Sequence, residues 1–285
     1  MHQRIMVFHR VSRDALGHFN GDDGWAMASH VAMSVLLAAF PFLIFATSLA
    51  SFLGGGIVAT SAVDFIFDIM PEIIAKPIAG EVHTVLSVPR GDLLTFGGLL
   101  ALVFASNGVE ALRVALNRAY RQKENRSFLF RRIQSLFFVI LATLALLSIS
   151  FLLVLAPLVW SIVVKYFPQA AELSSQVFML RYAVVSLVLV TGLYASHRWL
   201  PAGKRAFDVL WPGIILSIIA SFVGSWVFAT YLEQFATYTS TYAGLASGII
   251  ALLFLYLLAA FFIIGAEFNA SISRYFLARA IVSKS

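Results

Sequence analysis

Six stretches of this chain run almost free of charge: Trp25–Leu53, Leu93–Leu112, Ile133–Val164, Tyr182–Leu200, Leu210–Tyr231 and Leu245–Ala266. Each is close to the length that a helix needs to cross about 30 Å of hydrocarbon. The third holds 32 residues. At 1.5 Å per residue it reaches about 48 Å, so it is expected to tilt or to project beyond the bilayer near Pro157. The first is far longer than the apolar core of a secretory signal, which favours a membrane span over that reading. Gly54–Gly56 marks the exit from the first run, and Leu200-Pro201 closes the fourth.

Two segments outside these runs also carry a pattern. In "SAVDFIFDIMPEIIAKPIAGEVHTVLSV" Val63, Ile66, Phe67 and Met70 recur at helical spacing while Asp64 and Asp68 share another face. This predicts short amphipathic helices on the outer membrane surface, broken at Pro71 and Pro77. The N-terminal "HQRIMVFHRVSRDALGHF" reads either as a basic helix on the inner surface or as a loosely ordered tail. The expected organisation is therefore a segment over residues 1–24, a six-helix membrane domain over 25–274 and a tail over 275–285.

Composition turns this pattern into a fold class. The chain is 60% hydrophobic and only 12% charged, against roughly 25% charged residues in soluble domains. So little polar surface cannot cover an aqueous protein of this size. An all-α, multi-pass membrane protein is the expectation. There is no cysteine, which excludes disulfides, thiolate catalysis and cysteine-based metal centres. Sixteen of the 20 lysines and arginines precede the first run, follow the sixth, or lie between the second and third and between the fourth and fifth. Cytoplasmic loops are enriched in these residues, so both termini are expected in the cytoplasm. The same bookkeeping removes the nucleic-acid reading, because orientation alone accounts for a basic loop such as "RAYRQKENRSFLFRR".

Polar residues inside apolar runs are the candidate site. At the inner end of the second run, Asn107, Glu110, Arg113 and Asn117 recur every three or four residues and share a helical face. A charge at hydrocarbon depth costs about 2.5–3.5 kcal/mol and calls for a partner, and Arg113 stands three residues from Glu110. The sixth run ends in "IIGAEFNAS", which places Glu267 and Asn269 at nearly the same depth. Both runs carry Gly-x-Glu, at Gly108 and at Gly265, suited to close helix approach. The expectation is one polar cluster of Asn107, Glu110, Arg113, Asn117, Glu267 and Asn269, with Glu267 and Asn269 facing Arg113 and Asn117. Pro41 is expected to kink the first helix. His30, His197 and Arg198 are secondary candidates; "YASHRWLP" also fits an aromatic and basic belt. Gly213, Ser217, Ser221 and Ser225, and likewise Gly97, Ala101 and Ala105, form small-residue faces for helix packing or homo-oligomerisation. No phosphate loop, His-Glu-x-x-His or Gly-x-Ser-x-Gly motif is present. No catalytic, cofactor-binding or metal-ligating residue is expected.

The stretches "AFPFLIFATSLASFLG", "ASNGVEALRVALNRAYRQKENRSFLFRR", "YASHRWLPAGKRAFDVLWPG" and "YAGLASGIIALLFLYLLAAFFIIGAEFNA", in that order, resemble the BrkB/YihY family of bacterial inner-membrane proteins. "SHVAMS" at Ser29–Ser34 departs from the family's pattern. The resemblance implies six spans in the bacterial cytoplasmic membrane with cytoplasmic termini. Members have been linked to virulence and have carried a ribonuclease label regarded as a misassignment; this sequence holds no constellation to support that label. Two functions follow as expectations. One is a transporter or translocator of a lipid or other amphiphile, using the inner-leaflet polar cluster. The other is a noncatalytic scaffold or envelope-integrity protein that docks partners through the basic loop Arg118–Arg132 and the outer amphipathic helices.

Overall fold

The computed structural model describes residues 2–42, 44, 45, 48, 91–203, 205–239 and 243–282. Among these the chain is all-helical, since in lipid a helix satisfies its own backbone N–H and C=O groups. The helices are α1 (His2–Gly21), α2 (Gly24–Phe42), α3 (Gly91–Ala119), α4 (Phe128–Ser150), α5 (Ala156–Tyr166), α6 (Ser174–Trp199), α7 (Phe207–Thr239) and α8 (Ala243–Val282). A π-helical segment, Phe151–Leu155, joins α4 to α5, and a 3-10 segment, Pro168–Leu173, leads into α6. Six runs are long and apolar enough to cross a membrane: Gly24–Phe42, Thr95–Ala119, Phe128–Leu153, Pro168–Trp199, Val209–Leu232 and Gly248–Phe276. The surface helices expected between residues 61 and 88, and the triple glycine before them, lie outside the described residues.

Three boundaries differ from those the charge pattern predicts, each for a local reason. The long third run is interrupted where Pro157 approaches. Proline lacks an N–H and crowds the carbonyl four residues before it, and here the turn widens so that Ala156 N–H donates to Phe151 O, an i→i−5 bond. The fourth run begins well before Tyr182 and takes Arg181 into α6. Its guanidinium lies 5.3 Å from the ring centre of Phe178 and 4.9 Å from that of Tyr182, a favourable seat for a cation among apolar side chains. The last helix does not stop near Ala266 but continues to Val282, and beyond Ala266 its Phe268, Ile272, Arg274 and Tyr275 pack against α1.

The described backbone divides into two compact units, Met1–Ala32 with Val109–Ser285, and Met33–Gly108. Within the smaller one, a Cβ on Gly97 would stand 3.3 Å from the backbone N of Phe45, so this glycine serves close packing of α3 on the end of the first membrane run. Pro41 occupies the last turn of α2 as described. The larger unit holds most of the core, where Phe19, Leu116, Leu200, Leu210, Ile214 and Ile263 are buried. There α1 is an ordered helix: Val11 and Ala15 pack on Phe268, and Arg274 Nη2 donates to Asp14 Oδ2 at 2.8 Å. Facing outward are large apolar side chains such as Ile140, Phe222 and Trp226, over half exposed. That inside-out pattern suits lipid as the surrounding solvent.

The α7–α8 seam is the tightest helix contact, and small residues make it. A Cβ on Gly265 would collide with Ser217 Oγ and stand 2.5 Å from Gly213 O. Ser217 Oγ donates to Phe261 O at 3.2 Å. The Gly213/Ser217 end of the small-residue ladder is thus used within the chain. Gly108 is not equivalent to Gly265, for its Cβ would meet Val35 and Ser34 only at ordinary contact distances of 3.8–3.9 Å.

Candidate functional site

Five of the six expected residues, Glu110, Arg113, Asn117, Glu267 and Asn269, fall in four separate polar groups around the C-terminal end of α3, and Glu267 and Asn269 bond to Arg121 and to α7 rather than to Arg113 and Asn117. The first joins α3 to α4. Arg113 is 0% exposed; its Nη1 is paired with Glu110 Oε2, while Nη2 donates to Arg131 O at 2.9 Å and to Ser135 Oγ at 2.8 Å. Arg131 Nη1 reaches Glu110 Oε1 at 3.0 Å. Glu110 therefore lies between two guanidinium groups, the usual condition for keeping an ion pair at low dielectric.

A second group holds the link between α6 and α7. Asn117 Oδ1 accepts the Ala202 N–H at 2.6 Å, and its Nδ2 donates to Glu124 Oε2 at 2.9 Å. Arg126 donates through Nε to Glu124 Oε1 at 2.7 Å and through Nη2 to Leu200 O at 3.0 Å. Gln134 Nε2 donates to Trp199 O at 2.6 Å. The hydrogen bonds from Arg126, joined by that from Asn117, hold the Glu124 carboxyl down to about 2 against the opposing effect of burial. A carboxylate whose pKa is depressed on folding stabilises the fold above its unfolded value, and this contribution disappears as pH falls toward the folded value. The melting temperature of the parent protein is therefore expected to fall between about pH 4.5 and pH 2, and Glu124→Gln to flatten that limb while lowering the neutral-pH value. Parallel melting curves for parent and variant across this range would exclude the linkage.

In the third group, Asn269 repairs a proline-disturbed turn. Pro212 lies inside α7, and in that turn the Gly213 N–H is accepted by Asn269 Oδ1 at 2.7 Å while Leu210 O accepts from Nδ2 at 2.9 Å. Asn269 Nδ2 also approaches Tyr120 OH at 3.4 Å, and that hydroxyl lies 2.8 Å from His197 Nδ1. An amide nitrogen only donates, so the phenol proton is left for Nδ1 and the imidazole carries its own proton on Nε2. That Nε2 is buried without a hydrogen-bond partner. Burial raises the pKa of the Tyr120 phenol, which keeps it a donor, and Arg205 lies 4.4 Å from the centre of its ring.

The fourth group contains Glu267. It is 1% exposed, and its ion-pair partner is Arg121, with Nη1 at 3.5 Å from Oε2; Arg113 is engaged elsewhere. Arg121 also pairs through Nη2 with Asp22, in the turn between α1 and α2. Arg121 has φ +53°. It follows α3 in the left-handed conformation that ends many helices: Gln122 N–H donates to Asn117 O at 2.8 Å and Arg121 N–H to Arg118 O at 3.0 Å. Glycine normally fills this position; an arginine here swings its side chain back toward α8. Arg118 Nη2 meets Asp23 Oδ2 at 2.7 Å, and Asp23 is also left-handed, with φ 54°.

Among the remaining candidates, Asn107 is exposed and belongs to the Met33–Gly108 unit. His30 is exposed on α2, and Arg198 is partly buried beside the fully buried His197. Sequence reasoning missed Arg121, Arg126, Arg131, Ser135, Glu124 and Tyr120, because it read the basic loop for orientation and for docking, not for contacts within the chain. A usable signal was there: Glu124 is the one acid among seven basic residues between Arg113 and Arg132.

The family described as Virulence factor BrkB matches residues 15–282, which takes in α2 through α8 and every polar group above. The chain belongs to the BrkB family. The match starts inside α1, at Ala15, so that most of this BrkB-family protein's first helix lies before it. Among its relatives is a ribonuclease-like protein, YfkH of Bacillus subtilis (strain 168). It is 29% identical over 259 residues, covering 90% of this chain and 93% of the relative. No solved structure matches the chain.

Proposed function

We propose that this BrkB-family protein is a transporter or translocator of an amphiphile in the bacterial inner membrane, with both termini in the cytoplasm and Glu267 as the group that changes partner or charge during the cycle. The observation that carries this reading is the contrast between two carboxylates, the partly exposed Glu110 and the buried Glu267. Glu110 is gripped by Arg113 and Arg131, one oxygen each. Glu267, almost fully buried, has one contact with Arg121 at 3.5 Å, and that arginine is shared with Asp22. Charge-assisted hydrogen bonds are normally about 2.7–2.9 Å. A buried carboxylate so loosely held is a natural switch, since intramembrane acids are expensive to keep without a role. The tightly bonded groups then serve as the fixed frame around it.

A docking scaffold finds less support. Arg118, Arg121, Arg126 and Arg131 of the basic loop are engaged with Asp23, Asp22 and Glu267, Glu124 and Glu110 of the same chain. The test is flux. Purified protein in liposomes is expected to move a fluorescent phospholipid between leaflets, with Glu267→Gln slowing it about tenfold or more, the scale of one lost charge-assisted interaction. Absence of movement by the parent protein, or equal rates in parent and variant, would sink the proposal.

A further inference from the structure

A cavity of about 410 Å³ opens at the other end of α6, between α6 and the π-helical junction of α4 and α5. It lies wholly in the larger unit and far from the polar groups described above. Arg181 precedes Trp199 by 18 residues, which along a helix is about 27 Å. If Trp199 and its neighbours sit at one membrane boundary, Arg181 sits at the other. The walls are apolar, with Leu152, Pro157, Val177 and Val184 among them, and Trp160 and Arg181 also line the space. Its volume falls within the roughly 300–1,000 Å³ of small-molecule sites.

The arginine is what makes this more than a groove. No carboxylate among the described residues lies within ion-pairing distance of it, although eight ion pairs are formed elsewhere. Its guanidinium is held over Phe178 and Tyr182 instead. Its Nε is buried with no hydrogen-bond partner. A cation fixed at the rim of an apolar cavity, with no acid paired to it among the described residues, is complementary to a molecule with an anionic head and a hydrocarbon tail. Arginine binds phosphate oxygens through its planar fork of N–H groups. The tail side is equally prepared. The π turn displaces the α4–α5 backbone just where Pro157 forbids a normal helix bond, and Trp160 Nε1 donates to Ser174 Oγ at 3.0 Å, which braces α5 against the start of α6.

We infer that this cavity is a binding site for one anionic phospholipid, its phosphate on Arg181 and one acyl chain between α5 and α6. The inference does not rest on transport: a permanently bound lipid would occupy the site in a protein that moves nothing. The test uses purified full-length protein titrated with phosphatidylglycerol and, separately, with phosphatidylcholine of the same chains, adducts being counted by native mass spectrometry. The expected result is one tight phosphatidylglycerol per chain, with phosphatidylcholine about tenfold weaker, because its choline cation offsets the phosphate charge that Arg181 attracts. Arg181→Gln should erase that preference. Ala156→Phe, which fills the cavity and leaves the arginine in place, should weaken both lipids. Equal binding of the two lipids by the parent protein, or an undiminished preference in Arg181→Gln, would overturn the inference. So would unaltered phosphatidylglycerol binding in a folded Ala156→Phe variant. None of these outcomes bears on Glu267, so binding and flux can fail separately.

Discussion

Glu110→Ala is expected to destabilise the folded protein by about 3–5 kcal/mol, the cost of stranding one member of a buried ion pair. Arg113 is entirely enclosed by α3 and α4, so the cation left behind cannot reach water. Its remaining bonds, to Arg131 O and Ser135 Oγ, supply acceptors but no opposing charge. Arg131 loses its partner too, but it is partly exposed and can be solvated. The pair is costly to break and contributes less than its geometry suggests, because Arg113 was fully and Glu110 partly desolvated to form it. Hence the double variant Glu110→Leu with Arg113→Met is expected to recover much of the loss. Unfolding in detergent micelles for the two singles and the double gives the coupling directly. A Glu110→Ala protein within about 0.5 kcal/mol of the parent, the range of an ordinary surface change, would show that Arg113 is not enclosed as described.

Gly265→Val is the second large effect, also about 3–5 kcal/mol. Overpacking a filled contact costs roughly 1–3 kcal/mol when side chains can shift. Here one obstacle is the carbonyl of Gly213, which is backbone, so α7 and α8 must separate. Separation also strips the Asn269 bonds to Gly213 N and Leu210 O, at about 1 kcal/mol each. Gly192 in α6 provides the control, since a Cβ there meets nothing within 4 Å. Gly192→Ala should leave the melting temperature unchanged or slightly higher, whereas Gly265→Val should lower it sharply or prevent isolation of folded protein. Similar behaviour of the two variants would remove close packing as the reason for glycine at 265.

Legibility in the sequence differed between helices and contacts. The six apolar runs could be read because lipid imposes one requirement on every residue that crosses it, and that requirement is local in the chain. Boundaries were less legible wherever a charge belonged to a helix. Arg181 and Glu267 each marked an apparent end, yet both lie within helices, one seated on aromatic faces and the other covered by Arg121. Periodicity correctly put Glu110 and Arg113 within reach of each other. It was silent on Arg131 and Ser135, which arrive from the next helix 18 and 22 residues beyond Arg113.

Asn269 shows the same division at a single residue. Its depth in the last run was visible, but its role depends on Pro212, 57 positions earlier, whose disturbed turn it bonds. Arg121 is a sharper case, because its reach to Glu267 requires a left-handed backbone at the end of α3 that no residue type there announces.

By itself, then, the sequence determined that the chain carries six apolar helices of membrane length, since hydropathy acts residue by residue. Only the tertiary structure decided which acid meets which arginine, which glycine is indispensable, and where a cavity remains. Those depend on helix rotation and on turns between distant segments, and the free energy of a buried charge is set by whatever the fold happens to bring beside it.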